Sequence, residues 1–145
     1  MKFGLSERTT KIILGVATVG LIFSVFLHVD TLFLSSAYYD IYGETLFGVA
    51  FVSLLFPLLY ETRYSAKQGY DFRKYLTEEY YPEWTKPVWI ALMVYFVVLF
   101  GTVLITYLSG NSVENISNNF LSLGNVVVFS GSCFYHQTVL NVGRS

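Results

Sequence analysis

The chain has one cysteine, two histidines and three prolines among 145 residues, and only 13% of those residues are charged. Each scarcity excludes something. Cys133 alone forms neither an intrachain disulfide nor a cysteine-rich zinc site, and it reads as a small buried residue. His28 ends one apolar run, whereas His136 lies 16 residues inside another, about 24 Å along a helix, so the two cannot share a haem or metal within one subunit. Cys133 and His136, three apart, offer at most two ligands where zinc needs more. The chain has no glycine-rich phosphate loop, no nucleophile with base and orienter, and no carboxylate pair inside an apolar run. The sequence therefore assigns no catalytic, cofactor-binding or metal-ligating residue. A net charge of −1 argues neither for nor against an acidic partner, and no nucleic-acid partner is expected.

The shortage of charge, against about 25% in soluble domains, is matched by long apolar runs, since 54% of the residues are hydrophobic. Residues 88–108 contain no charge, with Thr102 and Thr106 their only clearly polar members. At 21 residues this run meets the length of about 20 that a bilayer-crossing helix needs. Residues 12–29 form a second run behind Lys2, Arg8 and Lys11; it is long and lacks a small-x-small site, so it reads as a retained helix rather than a cleaved signal. Within it Gly20 and Ser24 share a face that admits a close neighbour. Residues 42–60 form a third, where Pro57 removes a backbone donor and predicts a kink. Residues 120–142 are the least apolar candidate, carrying Asn125, Ser130, Ser132, His136, Gln137 and Asn141.

The connections differ in chemistry. Residues 30–44 mix Asp30, Asp40 and Glu44 with Tyr38, Tyr39 and Tyr42, which suits a short connection in the headgroup zone. Residues 61–87 are the one long polar segment, and within it Phe72, Tyr75, Leu76 and Tyr80 recur at three- and four-residue steps. That spacing predicts a short interfacial helix, broken at Pro82, whose aromatic side either docks a partner or anchors the loop. Trp84 and Trp89 fit an aromatic belt, and Pro87 is placed to open the next span. Residues 109–119 are rich in turn formers and include Asn115-Ile116-Ser117, formally a glycosylation acceptor.

If all four runs cross a bilayer, every lysine and arginine falls on one side: Lys2, Arg8, Lys11, Arg63, Lys67, Arg73, Lys74, Lys86 and Arg144. The other side holds only Asp30, Asp40, Glu44 and Glu114. Because basic segments are retained in the cytoplasm, this partition predicts four spans with both termini cytoplasmic, and Arg144 is what places the fourth. On that span Ser122, Asn125, Ser132 and His136 share a face, which should turn toward the other helices rather than lipid. Its role is either interhelical bonding or a hydrated path with His136 as a titrating relay.

Several short stretches resemble a group of small bacterial inner-membrane proteins of four helices with no assigned activity. They are His28 ending the first run, Phe56-Pro57, Tyr81-Pro82-Glu83-Trp84, Tyr95, Phe129-Ser130-Gly131-Ser132 and Phe134-Tyr135. Such proteins often carry a histidine after the Ser-Gly pair, where this chain has Ser132. The resemblance implies a fold and a location only. The expected architecture is an all-α integral membrane bundle of four transmembrane helices in one domain, in a bacterial cytoplasmic membrane. Its expected partners are the lipid bilayer and other membrane subunits or a second copy. The expected role is that of an accessory or assembly subunit; a small transporter or proton conduit is the alternative. A topology reporter fused after Ser145 is expected to be active only in its cytoplasmic form; an extracytoplasmic signal would remove the four-span arrangement.

Overall fold

The computed structural model describes residues 3–33, 37–109 and 116–144, and omits the side chains of residues 37, 75, 116 and 117. The fold is all-α. Its helices are α1 (Glu7–Phe33), α2 (Ala37–Gln68), α3 (Thr85–Leu108) and α4 (Ile116–Arg144), with two short 3-10 turns, Phe72–Tyr75 and Glu78–Tyr80, between α2 and α3. Helices α1, α2 and α3 are long and apolar enough to cross a bilayer. The least apolar helix, α4, is the one most enclosed by the others. Polar side chains are costly against hydrocarbon or a dry core unless they find partners, so the polar helix takes the position where partners exist on several sides.

Helices α1, α2 and α4 form a tight core. Ala17, Ala50, Phe129 and Cys133 meet at its middle. Gly20 makes that meeting possible, because the ring of Phe129 occupies the space where a Cβ at Gly20 would sit. The face shared by Gly20 and Ser24 is thus the face that α4 packs on.

Two buried carboxylates tie the ends of the α1–α2 hairpin, one binding the backbone amides that lead into α1 and the other the orphan amides in the first turn of α2. Glu61, 1% exposed, accepts from the Gly4 and Leu5 amides, both at 2.8 Å, just before α1. Ser6 then caps α1 through the Thr9 amide at 3.1 Å. At the opposite end Asp30, also 1% exposed, accepts from Tyr38 and Tyr39 in the first turn of α2 at 3.2 and 3.3 Å. Each helix of the hairpin supplies the acid for the other's beginning.

Helix boundaries depart from the sequence reading in instructive ways. The acid- and tyrosine-rich stretch from 30 to 44 is nearly all helical: α1 runs to Phe33 and α2 starts at Ala37. Helix α2 also continues through Pro57 to Gln68, taking the first turns of the expected loop. There it ends on Gly69, whose φ of 75° is the left-handed conformation that glycine adopts without strain. The expected interfacial helix is instead a pair of 3-10 turns. Asp71 begins the first by accepting from the Arg73 amide, and the bond from the Arg73 side chain holds the Asp71 carboxyl below the usual carboxylate range. The residues 110–115, with Glu114 and Asn115 of the glycosylation triplet, lie outside the described residues.

Helix α3 sits differently from the rest. Trp84, just before it, packs on the central cluster of Ala17, Ala50, Phe129 and Cys133. Eleven residues later, about 16 Å along, Tyr95 already bonds to His28 near the far end of α1. From there α1 has only five residues left, about 8 Å, whereas α3 continues for thirteen, about 20 Å. The third helix is therefore displaced lengthwise relative to the three-helix core. The half of α4 that it leaves uncovered is taken by the connection: Tyr81 meets Phe134 edge-on at 4.8 Å, and Asn141 donates to the Tyr80 carbonyl at 2.9 Å.

Replacing Gly20 with alanine is expected to destabilise the folded chain by about 1–3 kcal/mol by driving Phe129 out of its slot. Thermal unfolding in detergent measures it; an unchanged midpoint would mean that α1 and α4 have slack at this contact.

Candidate functional site

Ser122, Asn125, Ser132 and His136 are all buried, between 0 and 1% exposed, on the side of α4 facing α1 and α2. The three nearer the chain's C-terminus act on the backbone of α2. Asn125 donates to the Gly43 carbonyl at 3.2 Å, and both Ser132 and His136 donate to the Ser53 carbonyl, at 3.1 and 3.0 Å. That last carbonyl is free for a reason written in the sequence. In a helix it would receive the amide of residue 57, but residue 57 is proline and has none. Ser132 and His136 supply the missing donors from the neighbouring helix.

The bond also fixes the imidazole. A carbonyl only accepts, so Nε2 of His136 carries the proton and Nδ1 is the bare nitrogen. Nδ1 is buried and has no partner among the described residues, as are the Tyr135 hydroxyl and Asn125 Oδ1.

Ser122 belongs to a second cluster, built from three helices. Its hydroxyl lies 2.7 Å from His28 Nδ1 and 3.1 Å from the Thr31 hydroxyl, and it donates to the Asn119 carbonyl at 3.0 Å. His28 Nε2 lies 2.6 Å from the Tyr95 hydroxyl of α3. A hydroxyl has one proton. With that of Ser122 on the Asn119 carbonyl, Nδ1 of His28 donates and Nε2 accepts from Tyr95. A directed chain results: Tyr95 to His28 to Ser122 to the α4 backbone. The two histidines thus hold opposite tautomers, at well-separated levels of the bundle.

The candidate docking residues separate. Phe72 is 2% exposed and packs with Tyr135 and Val139, and Leu76 packs on the same cluster, so both face inward and pin the connection to the core. Tyr80 is half-buried, and the side chain of Tyr75 is outside the described residues. The four do not form one outward aromatic face, because two 3-10 turns replace the helix that would have aligned them.

Sequence reasoning missed His28 with Tyr95, Ser53, Asp30 and Glu61. Ser53 was within reach, since a proline four residues on announces a free carbonyl. Asp30 and Glu61 were not, because nothing local says that an acid beside an apolar run will turn inward to bind another segment's amides. No protein-family model, no curated protein and no solved structure matches this chain.

If the Ser53 carbonyl couples the two helices, His136→Ala costs about 1–3 kcal/mol alone. In a Pro57→Ala background, where residue 57 regains its amide, the same change should cost less by about 0.5 kcal/mol or more. A double-mutant cycle of unfolding free energies in detergent decides it; strict additivity would show that the proline and the histidine act independently.

Proposed function

We propose that this protein is a four-span subunit of the bacterial cytoplasmic membrane, with both termini cytoplasmic, that acts as an accessory or assembly component of a larger membrane complex. The observation that carries the reading is the state of α3. Among its described residues only Thr85 and Leu99 are buried, while Ile90, Val97 and Ile105 are about two-thirds exposed. An apolar helix so little covered by its own chain requires lipid or another apolar surface, and its lengthwise displacement carries residues 101–108 beyond the end of α1. A neighbouring membrane subunit covers such a protruding end where the core's own lipid belt does not reach.

Three further observations support it. Successive helices alternate in direction, and the described basic residues gather toward the end where Glu61 holds Gly4 and Leu5. Asp30, with Asp40 bonded by Asn118 at 3.0 Å, marks the other end. The polar residues of α4 are engaged by the carbonyls of α2 and by His28, which favours a packing role for this stripe over a hydrated path.

Gentle detergent extraction of the native protein tests the proposal. The expected result is a colourless particle well above the 16.5 kDa chain plus detergent, with other chains in fixed ratio. A lone monomer or a homo-oligomer would overturn the accessory-subunit reading and favour the conduit. A haem absorption band would overturn it too, by assigning a ligand role to His28 or His136.

A further inference from the structure

An open groove of about 600 Å³ runs along the outside of the bundle between α1 and α2. Ile12, Ile13 and Val16 form one wall, and Val52, Phe56 and Pro57 much of the other. Gly48 opens its far part, because a Cβ added there would meet nothing within 4 Å. The apolar walls are uncovered: Ile12 and Phe56 are each 58% exposed and Val52 66%. The stretch of α2 from Thr45 to Pro57 measures about 18 Å at helical rise, close to the roughly 15 Å of one bilayer leaflet's hydrocarbon.

The mouth of this groove is cationic. Arg8 precedes Ile12 by one turn on α1, and Arg63 follows Phe56 by seven residues, two turns along the same face of α2. Both are exposed, and neither makes an ion pair among the described residues. The acids nearest them are already engaged. Glu7 is bonded by Lys11 at 2.6 Å, and Glu61 is buried on the Gly4 and Leu5 amides. Two long cationic side chains with no acidic partner, at the leaflet end of a one-leaflet apolar groove, match a ligand with an anionic head and an apolar tail.

We propose that the groove between α1 and α2 is a binding site for an anionic phospholipid, one acyl chain lying against Gly48 and Val52 and the phosphate held between Arg8 and Arg63. The site rests on the membrane-spanning reading but not on the accessory-subunit role. Its phosphate lies in the cytoplasmic leaflet, on the side where the basic residues gather.

The test uses the full chain, extracted from membranes in mild detergent and supplied with phosphatidylglycerol or phosphatidylcholine, with bound lipid read by native mass spectrometry. The wild type should retain one phosphatidylglycerol in preference to phosphatidylcholine. The pair Arg8→Gln and Arg63→Gln should lower phosphatidylglycerol retention by about thirtyfold and abolish the preference, the worth of two surface cations. Gly48→Leu should displace the lipid by filling the groove while leaving the helical circular dichroism intact. Equal retention of both lipids by the wild type, or a preference that survives the arginine changes, would overturn the site. An alkaline carbonate wash of the membranes keeps the two failures apart: release of the protein would overturn the membrane reading itself, whereas resistance without lipid preference would overturn the site alone.

Discussion

One backbone carbonyl organises this bundle. Pro57 removes the amide that Ser53 would receive, and an unpaired carbonyl inside an apolar core costs on the order of 1–3 kcal/mol. The chain answers with two donors from α4, Ser132 and His136, one helical turn apart and both buried. The pairing fixes α4 in rotation and in height against α2. The position of Asn125 on Gly43 and of Phe129 in the slot at Gly20 follows from the same register. A proline in a helix is usually a weakness; here its unpaired carbonyl sets the register of the neighbouring helix.

The same logic recurs at the ends of the hairpin. A helix start leaves amides without partners; Asp30 of α1 takes two of them in the first turn of α2, and Glu61 of α2 takes the Gly4 and Leu5 amides that lead into α1. These acids sit at the two extremes of the core, where charge is less costly than at its centre. Between the extremes no aspartate, glutamate, lysine or arginine is buried among the described residues of α1, α2 and α4. The polar contacts of the middle are hydroxyl, amide and imidazole groups acting on carbonyls. That division of labour keeps unpaired ions out of the middle of the core, while His136 Nδ1, Asn125 Oδ1 and the Tyr135 hydroxyl stay without a partner among the described residues.

Helix α3 stands outside this scheme. Its polar link to the core is the Tyr95 hydroxyl on His28, and the connection before it, pinned by Phe72, Leu76 and Tyr81, covers the part of α4 that a helix in register would have covered. Three helices interlock as the core, while the apolar α3 is held loosely and meets the surroundings. The groove on the other side of the core, between α1 and α2, faces those surroundings as well, with cations at its mouth.

The sequence by itself determined the four helices, the apolar character of three of them, and the common face of Ser122, Asn125, Ser132 and His136, because helical periodicity and hydropathy are properties of neighbouring residues. It also showed that Pro57 removes a backbone donor from α2, which runs on through it to Gln68. The tertiary structure alone decided that His136 and Ser132 would donate to the Ser53 carbonyl, that Asp30 and Glu61 would bind amides of another segment, and that Phe72 would turn inward. It also decided the displacement of α3. Each of these is a choice of partner between segments tens of residues apart, governed by which unsatisfied group lies at the same height on a facing helix, and no local pattern carries that height.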